Sequence, residues 1–360
     1  MRISRGSAVT VVVIVLVATI GAGAWFVSTR LADNCDSDVS LPEGLPSDDV
    51  RLSPFAPGSL WRQTLDDADL DETHVDEKAT AALHVGTPTG PADSVGSVAT
   101  WMNAERYSIP VVQAEDCDPL VTLVDDSPGE DISDVEIRIP KAAVPAEGTD
   151  GHLVVVQPDG TTLVELFAAK RVDDHTWEIG RVEIVDLEGP GTGPDNGARA
   201  YGGPAIGGLI RNWEVDPEDA SYVDGVIRHP LAVAIPASML YYAGGEPGYD
   251  AEGYSTMRGY VPPATEQDYD APTSYKGVIP MGARLVLPAS VDVDGLGLSP
   301  ELTAIARALQ DYGGYVVDRA DDVVFYAEET TSPAWVEAVR EDEGRQLGLI
   351  RSQLQVVLPD

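Results

Sequence analysis

A run of apolar residues near the start of the chain constrains its fold more than any other feature. Ala8 to Val27 (AVTVVVIVLVATIGAGAWFV) form 20 uncharged, mostly apolar positions. At a rise of about 1.5 Å per residue, a helix of this length crosses the roughly 30 Å hydrocarbon layer of a membrane. Arg2 and Arg5 precede the run and acidic residues follow it. This asymmetry predicts a cytoplasmic N-terminus and an extracytoplasmic C-terminal part.

Two interpretations of this segment are open. Ala22-Gly23-Ala24 resembles the small-residue site at which a signal peptide is cleaved. Trp25, Phe26 and Val27 continue the apolar run past that site, which favours retention. We therefore expect residues 1–30 to be a transmembrane signal anchor that attaches the chain to the cell membrane by a single pass, with contact to the bilayer through residues 8–27.

The charge of the chain excludes one class of partner. The formal net charge is −37 at pH 7. So many carboxylates repel the phosphate backbone of nucleic acids, and we expect no nucleic-acid binding. The sequence has no P-loop, no HExxH and no Cys/His zinc spacing, so it predicts no cofactor and no metal. Its two cysteines, Cys35 and Cys117, permit one disulfide in an exported protein, and we predict that they pair.

Turn residues divide the chain after the anchor into short segments. Residues 31–55 are acidic and rich in proline, which predicts a tether. Short runs of Val, Ile, Leu and Tyr separated by turn residues then predict strands across residues 56–330. The predicted strands include Tyr107–Gln113, Leu120–Val124, Val135–Ile139, His152–Gln157, Thr162–Arg171, Thr176–Val185, Leu231–Ile235 and Ala283–Leu287.

Turn and cap residues sharpen this pattern. Asp159-Gly160 predicts a tight hairpin between two of the runs, and Arg319 to Asp322 predict another between Tyr315–Asp318 and Val323–Glu328. Ser299-Pro300 is typical of a helix start, and Ser332-Pro333 predicts a second helix within a helical tail at 331–360. Many short strands with few helices indicate an all-β fold, and we expect a β-sandwich of jelly-roll type with peripheral helices.

Four polar residues are the candidate site. Asp150 and His152 open one predicted strand, Glu165 lies on the next, and His229 begins a third. A carboxylate beside imidazole groups suits general acid–base chemistry, and it also suits a ligand site or a buried hydrogen-bond network. These three interpretations stay open. If the site is catalytic, glycoside cleavage with Glu165 as the proton donor is the expected reaction.

Aromatic residues point to the ligand class. Five tryptophans and a tyrosine-rich loop at 241–279 offer flat faces of the kind that stack on sugar rings. The alternative is a loop packed on itself over a sheet edge. The tryptophans are Trp61, Trp101, Trp177, Trp213 and Trp335.

Several strings between residues 53 and 328 resemble a family of uncharacterised secreted proteins that is common in actinobacteria. They include Ser53-Pro54-Phe55, Gly148-Thr-Asp150-Gly-His152, Gly207-Gly208-Leu-Ile, Ile227-Arg-His229 and Ile279-Pro-Met-Gly-Ala-Arg284. The resemblance implies an extracytoplasmic β-rich domain and carries no established activity. The chain departs from the family pattern at Leu166-Phe167 and at Pro230.

These observations lead to two functional hypotheses. The first is a surface domain that binds or processes polysaccharide or cell-wall glycan. The second is a non-enzymatic surface or assembly protein in which the polar cluster is purely structural. An open cleft at Glu165 and His152 would favour the first, and burial of both side chains would favour the second.

Overall fold

The computed structural model describes most of the chain beyond its first 40 residues. The described ranges are 41, 44–46, 48–66, 73–86, 98–125, 136–194, 197–219, 221–222, 224–251, 253–329 and 343–359. The anchor predicted at 1–30, Cys35 and the start of the helix predicted from Ser332 lie outside them. Within these ranges no helix has the length and apolar character needed to cross a membrane.

The described part of the chain is mostly β-sheet with few helices, as the sequence predicts. Its strands form three sheets. The strands are β1 (Thr73–Val75), β2 (Thr100–Asn103), β3 (Val111–Gln113), β4 (Leu120–Asp125), β5 (Glu136–Arg138), β6 (Leu153–Val156), β7 (Thr162–Phe167), β8 (Lys170–Asp173), β9 (Thr176–Ile179), β10 (Arg181–Asp186), β11 (Leu231–Pro236), β12 (Arg284–Val286), β13 (Gly314–Ala320), β14 (Val323–Tyr326) and β15 (Gln355–Pro359). The helices are α1 (Glu77–Leu83), α2 (Asn212–Val215), α3 (Ala271–Ser274), α4 (Pro300–Asp311) and α5 (Glu343–Arg351), with 3-10 turns at Leu60–Arg62 and Asp294–Leu296.

The largest sheet has seven strands in the order β1-β15-β12-β13-β11-β14-β2. It is mixed, because β11 runs parallel to β13 and β14 runs parallel to β2, while the other pairs are antiparallel. Two further parallel pairs, β3 with β6 and β4 with β9, occur in the smaller sheets. A jelly roll, by contrast, is an antiparallel architecture.

A four-stranded sheet in the order β10-β7-β6-β3 forms a middle layer. Successive side chains on a strand point to opposite faces. Val154 and Leu163 accordingly belong to the core shared with the seven-stranded sheet, whereas Val155 and Val164 belong to a second core around Trp177. The third sheet, in the order β5-β4-β9-β8, covers that second core. The central strands β6 and β7 of the middle sheet are therefore buried on both faces.

Two of the predicted strands each divide into two observed strands. The run 162–171 splits into β7 and β8 at Ala168, which adopts φ 53, and the run 176–185 splits into β9 and β10 at Gly180. Because β7 pairs with β10 and β8 pairs with β9, the two runs bend together and pass from the middle sheet into the third sheet.

The hairpin predicted at Asp159-Gly160 is confirmed. β6 and β7 pair antiparallel, and Asp159 Oδ1 accepts hydrogen bonds from the backbone N–H groups of Thr161 at 2.9 Å and Thr162 at 2.8 Å. Gly160 adopts φ 74, which a side chain would strain. The helix predicted at Ser299-Pro300 is also confirmed as α4, whose N-cap Ser299 accepts from the Leu302 N–H.

The hairpin predicted between residues 315–318 and 323–328 is wrong. β13 and β14 follow each other along the chain, but β11 lies between them and pairs with both. All six residues of β11 are buried. Such an apolar strand avoids exposing its edges by taking a central position with a partner on each side. The residues of the turn between β13 and β14 cannot predict that β11, about 80 residues earlier in the chain, lies between these two strands.

The predicted domain boundaries also need correction at both ends. Residues 343–359 are not an appended helical tail, because β15 lies inside the seven-stranded sheet between β1 and β12. In the segment predicted as a tether, Phe55 is buried and its N–H donates to the Leu187 carbonyl, so this part packs on the domain.

The predicted disulfide involves one described cysteine. Cys117 lies in the loop before β4 and is disulfide-bonded. Cys35 lies outside the described residues, and the pairing of Cys35 with Cys117 therefore stays a prediction.

Candidate ligand-binding cleft

A cleft of about 490 Å³ opens at one end of the seven-stranded sheet. Its walls come from three chain segments, at residues 52–62, 206–214 and 224–229. The first segment precedes the strands, the second contains α2, and the third leads into β11. Volumes between about 300 and 1,000 Å³ are usual for small-ligand sites, so the cleft is large enough for a small ligand.

The apolar side of the cleft is built on Trp61. This ring is 2% exposed, and its Nε1–H donates to the Gly191 carbonyl at 3.0 Å. The Gly207-Gly208 pair allows the ring to approach the backbone, because a Cβ at residue 208 would lie 2.6 Å from both the ring and the Ala232 nitrogen. Gly208 also adopts φ 71. The glycine pair therefore fixes the position of the tryptophan.

The polar side comes from the first turn of α2. The Arg211 N–H donates to Glu214 Oε2 at 2.9 Å, which closes the turn. The Arg211 guanidinium is held by two further contacts, with Nε donating to Glu328 Oε2 at 3.0 Å and Nη1 donating to the Arg51 carbonyl at 3.2 Å. These contacts fix two side chains that line the cleft, those of Arg211 and Glu214, and Trp213 lies between them in the chain.

Glu214 and His229 form a buried pair in the cleft wall. His229 Nε2 lies 3.1 Å from Glu214 Oε2, and Nδ1 lies 2.8 Å from the Pro230 carbonyl oxygen. A carbonyl and a carboxylate accept hydrogen bonds, so these two partners favour the protonated imidazole. Burial opposes this charge, but Glu214 and the Pro230 carbonyl outweigh it and raise the pKa of His229. The ring therefore has no free nitrogen with which to act as a base.

Two hydrogen-bond donors in the cleft wall lack an acceptor. Arg211 is only 3% exposed, yet its Nη2 has no partner in the described part of the chain. The same holds for Trp213 Nε1. A buried donor without an acceptor costs about 1–3 kcal/mol.

Glu165 is fully buried outside the cleft. Its Oε1 accepts from the N–H groups of Ala205 at 2.6 Å and Ile206 at 3.2 Å, and Oε2 accepts from Ala198 N–H at 3.1 Å. Burial raises the pKa of Glu165 to about 7, against these bonds and the nearby charge of Arg199. The Glu165 carboxyl group on β7 thereby holds the loop at residues 198–206 by hydrogen bonds to its backbone. Ile206 of that loop lines the cleft.

His152 lies in the same buried region as Glu165. Its ring packs edge-on against Phe167 with 5.4 Å between centroids, and burial together with the Arg199 charge lowers the pKa of His152 to about 3. Asp150, which is half-buried, accepts from Thr149 Oγ1 at 3.1 Å. The charge of Arg199 acts on both His152 and Glu165, and the burial of these two side chains favours the structural interpretation. The catalytic roles stay predictions.

His229 does not join that group, since its hydrogen bonds go to Glu214 and Pro230 in the cleft. The tyrosine-rich loop is also separate from the cleft lining. Tyr249 and Tyr269 of this loop are exposed, whereas Tyr275 is buried and donates to Asp268.

No protein-family model matches this chain, and searches of characterised proteins and of solved structures found no significant match. The site therefore has to be interpreted from its own geometry.

Sequence reasoning missed Arg211 and Glu214, which are central to the cleft. The run Arg211-Asn-Trp213-Glu214 carried a usable signal, because a glutamate three residues after a helix start commonly bonds back to the first backbone N–H. Its position after the Gly207-Gly208 pair was a second signal, since paired glycines allow a large ring to contact the backbone.

Proposed function

We propose that the chain is a membrane-anchored extracytoplasmic domain that binds a glycan in the cleft. The observation that carries the proposal is a cleft of about 490 Å³ whose lining includes Trp213 and Arg211, each with one donor that has no acceptor in the described part of the chain. Sugar recognition combines an aromatic face for the ring carbons with fixed donors for the hydroxyl oxygens. Trp213 supplies the aromatic surface, and Glu328 holds the Arg211 side chain in place.

Binding is better supported than cleavage. Glycoside hydrolysis requires two carboxyl groups that can reach the substrate. Glu214 bonds to His229, and Asp224 forms an ion pair with Arg228 at 2.6 Å. Glu165, the predicted proton donor, is fully buried with both oxygens hydrogen-bonded. The carboxylates of the cleft thus act as partners for neighbouring cations.

A second candidate is a non-enzymatic surface or assembly protein with a purely structural polar cluster. The observation that favours it is the burial of Glu165 and His152. This candidate predicts that no glycan binds in the cleft, and the binding experiment described next distinguishes the two.

We also propose that the predicted β-sandwich corresponds to the two four-stranded sheets. Both sheets contribute to the core around Trp177, with Val155 and Leu166 from the middle sheet and Leu123 and Ile179 from the third. Two sheets that share one core are the defining feature of a sandwich.

Trp213→Ala is expected to weaken glycan binding at least tenfold. The change removes the ring face and the only indole N–H in the cleft that lacks an acceptor. The full-length chain, purified in detergent, would be screened against a glycan array and then measured by calorimetry with the strongest ligand. Trp101→Ala is the matched control, because Trp101 is exposed on β2 and bonds to Asp322 outside the cleft. Equal affinity of the two variants, or no binding by the unmodified protein, would refute the proposal.

The proposed topology has its own expected result. Protease added outside intact cells should digest residues beyond the anchor and leave a fragment with the N-terminus protected. Arg2 and Arg5 on the inner side and the acidic chain beyond residue 32 are the basis for this orientation. A cytoplasmic protein of the same host serves as the control for cell integrity. Protection of the whole chain, or its release into the medium, would contradict the anchor.

A further inference from the structure

Five of the strands that lie at the edges of the three described sheets are short or irregular. β1, β3 and β5 have three residues each, and β2 has four. β8 has four residues and begins with Lys170, and its pairing with β9 shifts register between Arg171 and Asp173. Short strands, bulges and lysines are features by which proteins prevent a sheet edge from pairing with another chain.

β10, at one edge of the middle sheet, is the exception. It has six residues, and all six pair with β7 without a shift in register. It contains neither proline nor lysine. No segment in the described part of the chain pairs with its outer side. β10 therefore keeps a long, regular edge to which a further strand can be added.

The backbone groups of Val182 and Ile184 point to this open side. On the opposite side, the Leu187 N–H donates to the Thr161 carbonyl next to β7 at 2.8 Å. Hydrogen-bonding residues alternate along an antiparallel pair, so every second residue of β10 faces β7 and the residues between them face outward. Val182 and Ile184 thus offer two N–H donors and two carbonyl acceptors that no described backbone segment uses.

The side chains next to the open edge are apolar. Ile184 is 55% exposed, and Val182 on the same face packs against the core around Trp177. Arg181 and Glu183 lie on the other face of the strand, where their side chains bond to each other at 2.9 Å. Arg181 also bonds to Glu266 at 3.1 Å. The charges of β10 are therefore satisfied within the chain, whereas its isoleucine lies uncovered.

We propose that β10 pairs with β10 of a second copy of this chain, which joins the two middle sheets into one eight-stranded sheet. A two-fold axis brings the same surface of both copies together, and strands related by such an axis run antiparallel. The register that places Ile184 opposite the partner's Ile184 pairs the outward backbone groups and covers both side chains. A register centred on Glu183 would instead oppose two carboxylates, which is destabilising.

The charge pattern of the strand favours a second copy as the occupant. In the register centred on Ile184, Glu183 lies opposite Val185 and Val182 lies opposite Asp186, so no like charges are opposed. The other carboxylates of the acidic chain are screened beyond about 8 Å at physiological ionic strength. Copies anchored in one membrane also share one orientation and a raised effective concentration. This last advantage rests on the proposed anchor, which the protease experiment tests separately.

A cysteine at the two-fold axis tests the pairing directly. In a hydrogen-bonded antiparallel pair the Cα atoms lie about 5.5 Å apart, within the range of about 4.4–6.8 Å that a disulfide spans. Full-length Ile184→Cys, oxidised in the membranes of its host, should give a covalent dimer in several-fold larger yield than the unmodified protein with Cys35 and Cys117. Val172→Cys is the matched control, because Val172 is 58% exposed on β8, the bulged edge of the third sheet.

A charge at the same position should separate the copies. Ile184→Lys places two ammonium groups opposite each other, so the dissociation constant of the dimer should rise at least tenfold. Light scattering of the full-length protein in detergent, over a range of concentrations, measures the change. Val172→Lys should dimerise like the unmodified protein. Thermal unfolding verifies that both variants fold, as expected for exposed positions.

The possible results separate the occupants of the edge. Equal covalent dimer from Ile184→Cys and Val172→Cys, or a dimer that Ile184→Lys leaves intact, would overturn the assignment of β10 as the interface. A monomer at every concentration, without cross-linking in the membrane, would overturn the dimer. A covalent product of Ile184→Cys with a different polypeptide would show that another protein adds the strand. None of these results depends on whether the cleft binds a glycan.

Discussion

A chain that ends at residue 342 is expected not to fold. The deletion removes α5 and β15, and with β15 the strand that joins β1 to the rest of the large sheet. Leu347, Ile350, Leu354 and Val356 are all 0% exposed. Burying each such side chain contributes about 1.5–3 kcal/mol, so the loss is comparable with the whole stability of a typical domain, about 5–15 kcal/mol. Loss of the cooperative transition in thermal unfolding is the measurement.

Point variants within the same segment provide the control. Leu354→Ala should lower the free energy of unfolding by about 2–5 kcal/mol, because it leaves a cavity in the core. Gln353→Ala, at an exposed neighbouring position, should change it by less than about 0.5 kcal/mol. A stable, cooperatively unfolding fragment 1–342 would show that the segment is the helical tail that the sequence predicted.

The second large effect is a dependence of stability on pH that originates at Glu165. Its pKa is raised from 4.5 to about 7 in the folded protein. Between these values the folded chain holds a proton that the unfolded chain has released. The contribution of Glu165 to the free energy of unfolding is therefore fully present below pH 4.5, and it is lost as the pH rises towards 7. The slope is at most about 1.4 kcal/mol per pH unit.

Glu165→Gln is expected to remove this slope. The variant should also be less stable by about 1–3 kcal/mol, because its amide N–H₂ would face a backbone N–H donor. Urea unfolding at several pH values between 5 and 8 measures both effects. Asp318, whose pKa burial raises to about 7, and His152, whose pKa burial lowers to about 3, titrate in both proteins and cancel in the comparison. Glu178→Gln at a half-exposed position on β9 is the control. Equal slopes in the unmodified protein and Glu165→Gln would show that the buried carboxyl group does not titrate in this range.

Local features of the fold could be predicted from the sequence, whereas long-range pairing could not. The Asp159-Gly160 hairpin and helix α4 depend on turn and cap residues, and both are confirmed. The position of β11 between β13 and β14, and of β15 between β1 and β12, depends on contacts between distant segments. Periodicity identifies a buried strand but does not name its partner.

The candidate site shows the same division. The predicted hairpin of β6 and β7 indicates that Glu165 lies close to the region of His152. In the structure, the charge of Arg199 acts on both groups. His229 was grouped with them because of its residue type, yet its partner is Glu214. The cleft joins segments near residues 55, 210 and 229, and no local pattern indicates that they meet.

The pairing of β1 with β15 has a consequence for how the protein is made. Thr73 lies opposite Pro359, so this edge of the sheet cannot assemble until residues 355–359 have left the ribosome. A strand whose neighbours are synthesised so much later stays exposed in the nascent chain, and exposed strand edges are prone to aggregate. Contacts of such large sequence separation also slow folding. The biosynthesis of this protein should therefore depend on chaperones that keep β1 from aggregating until β15 has been synthesised.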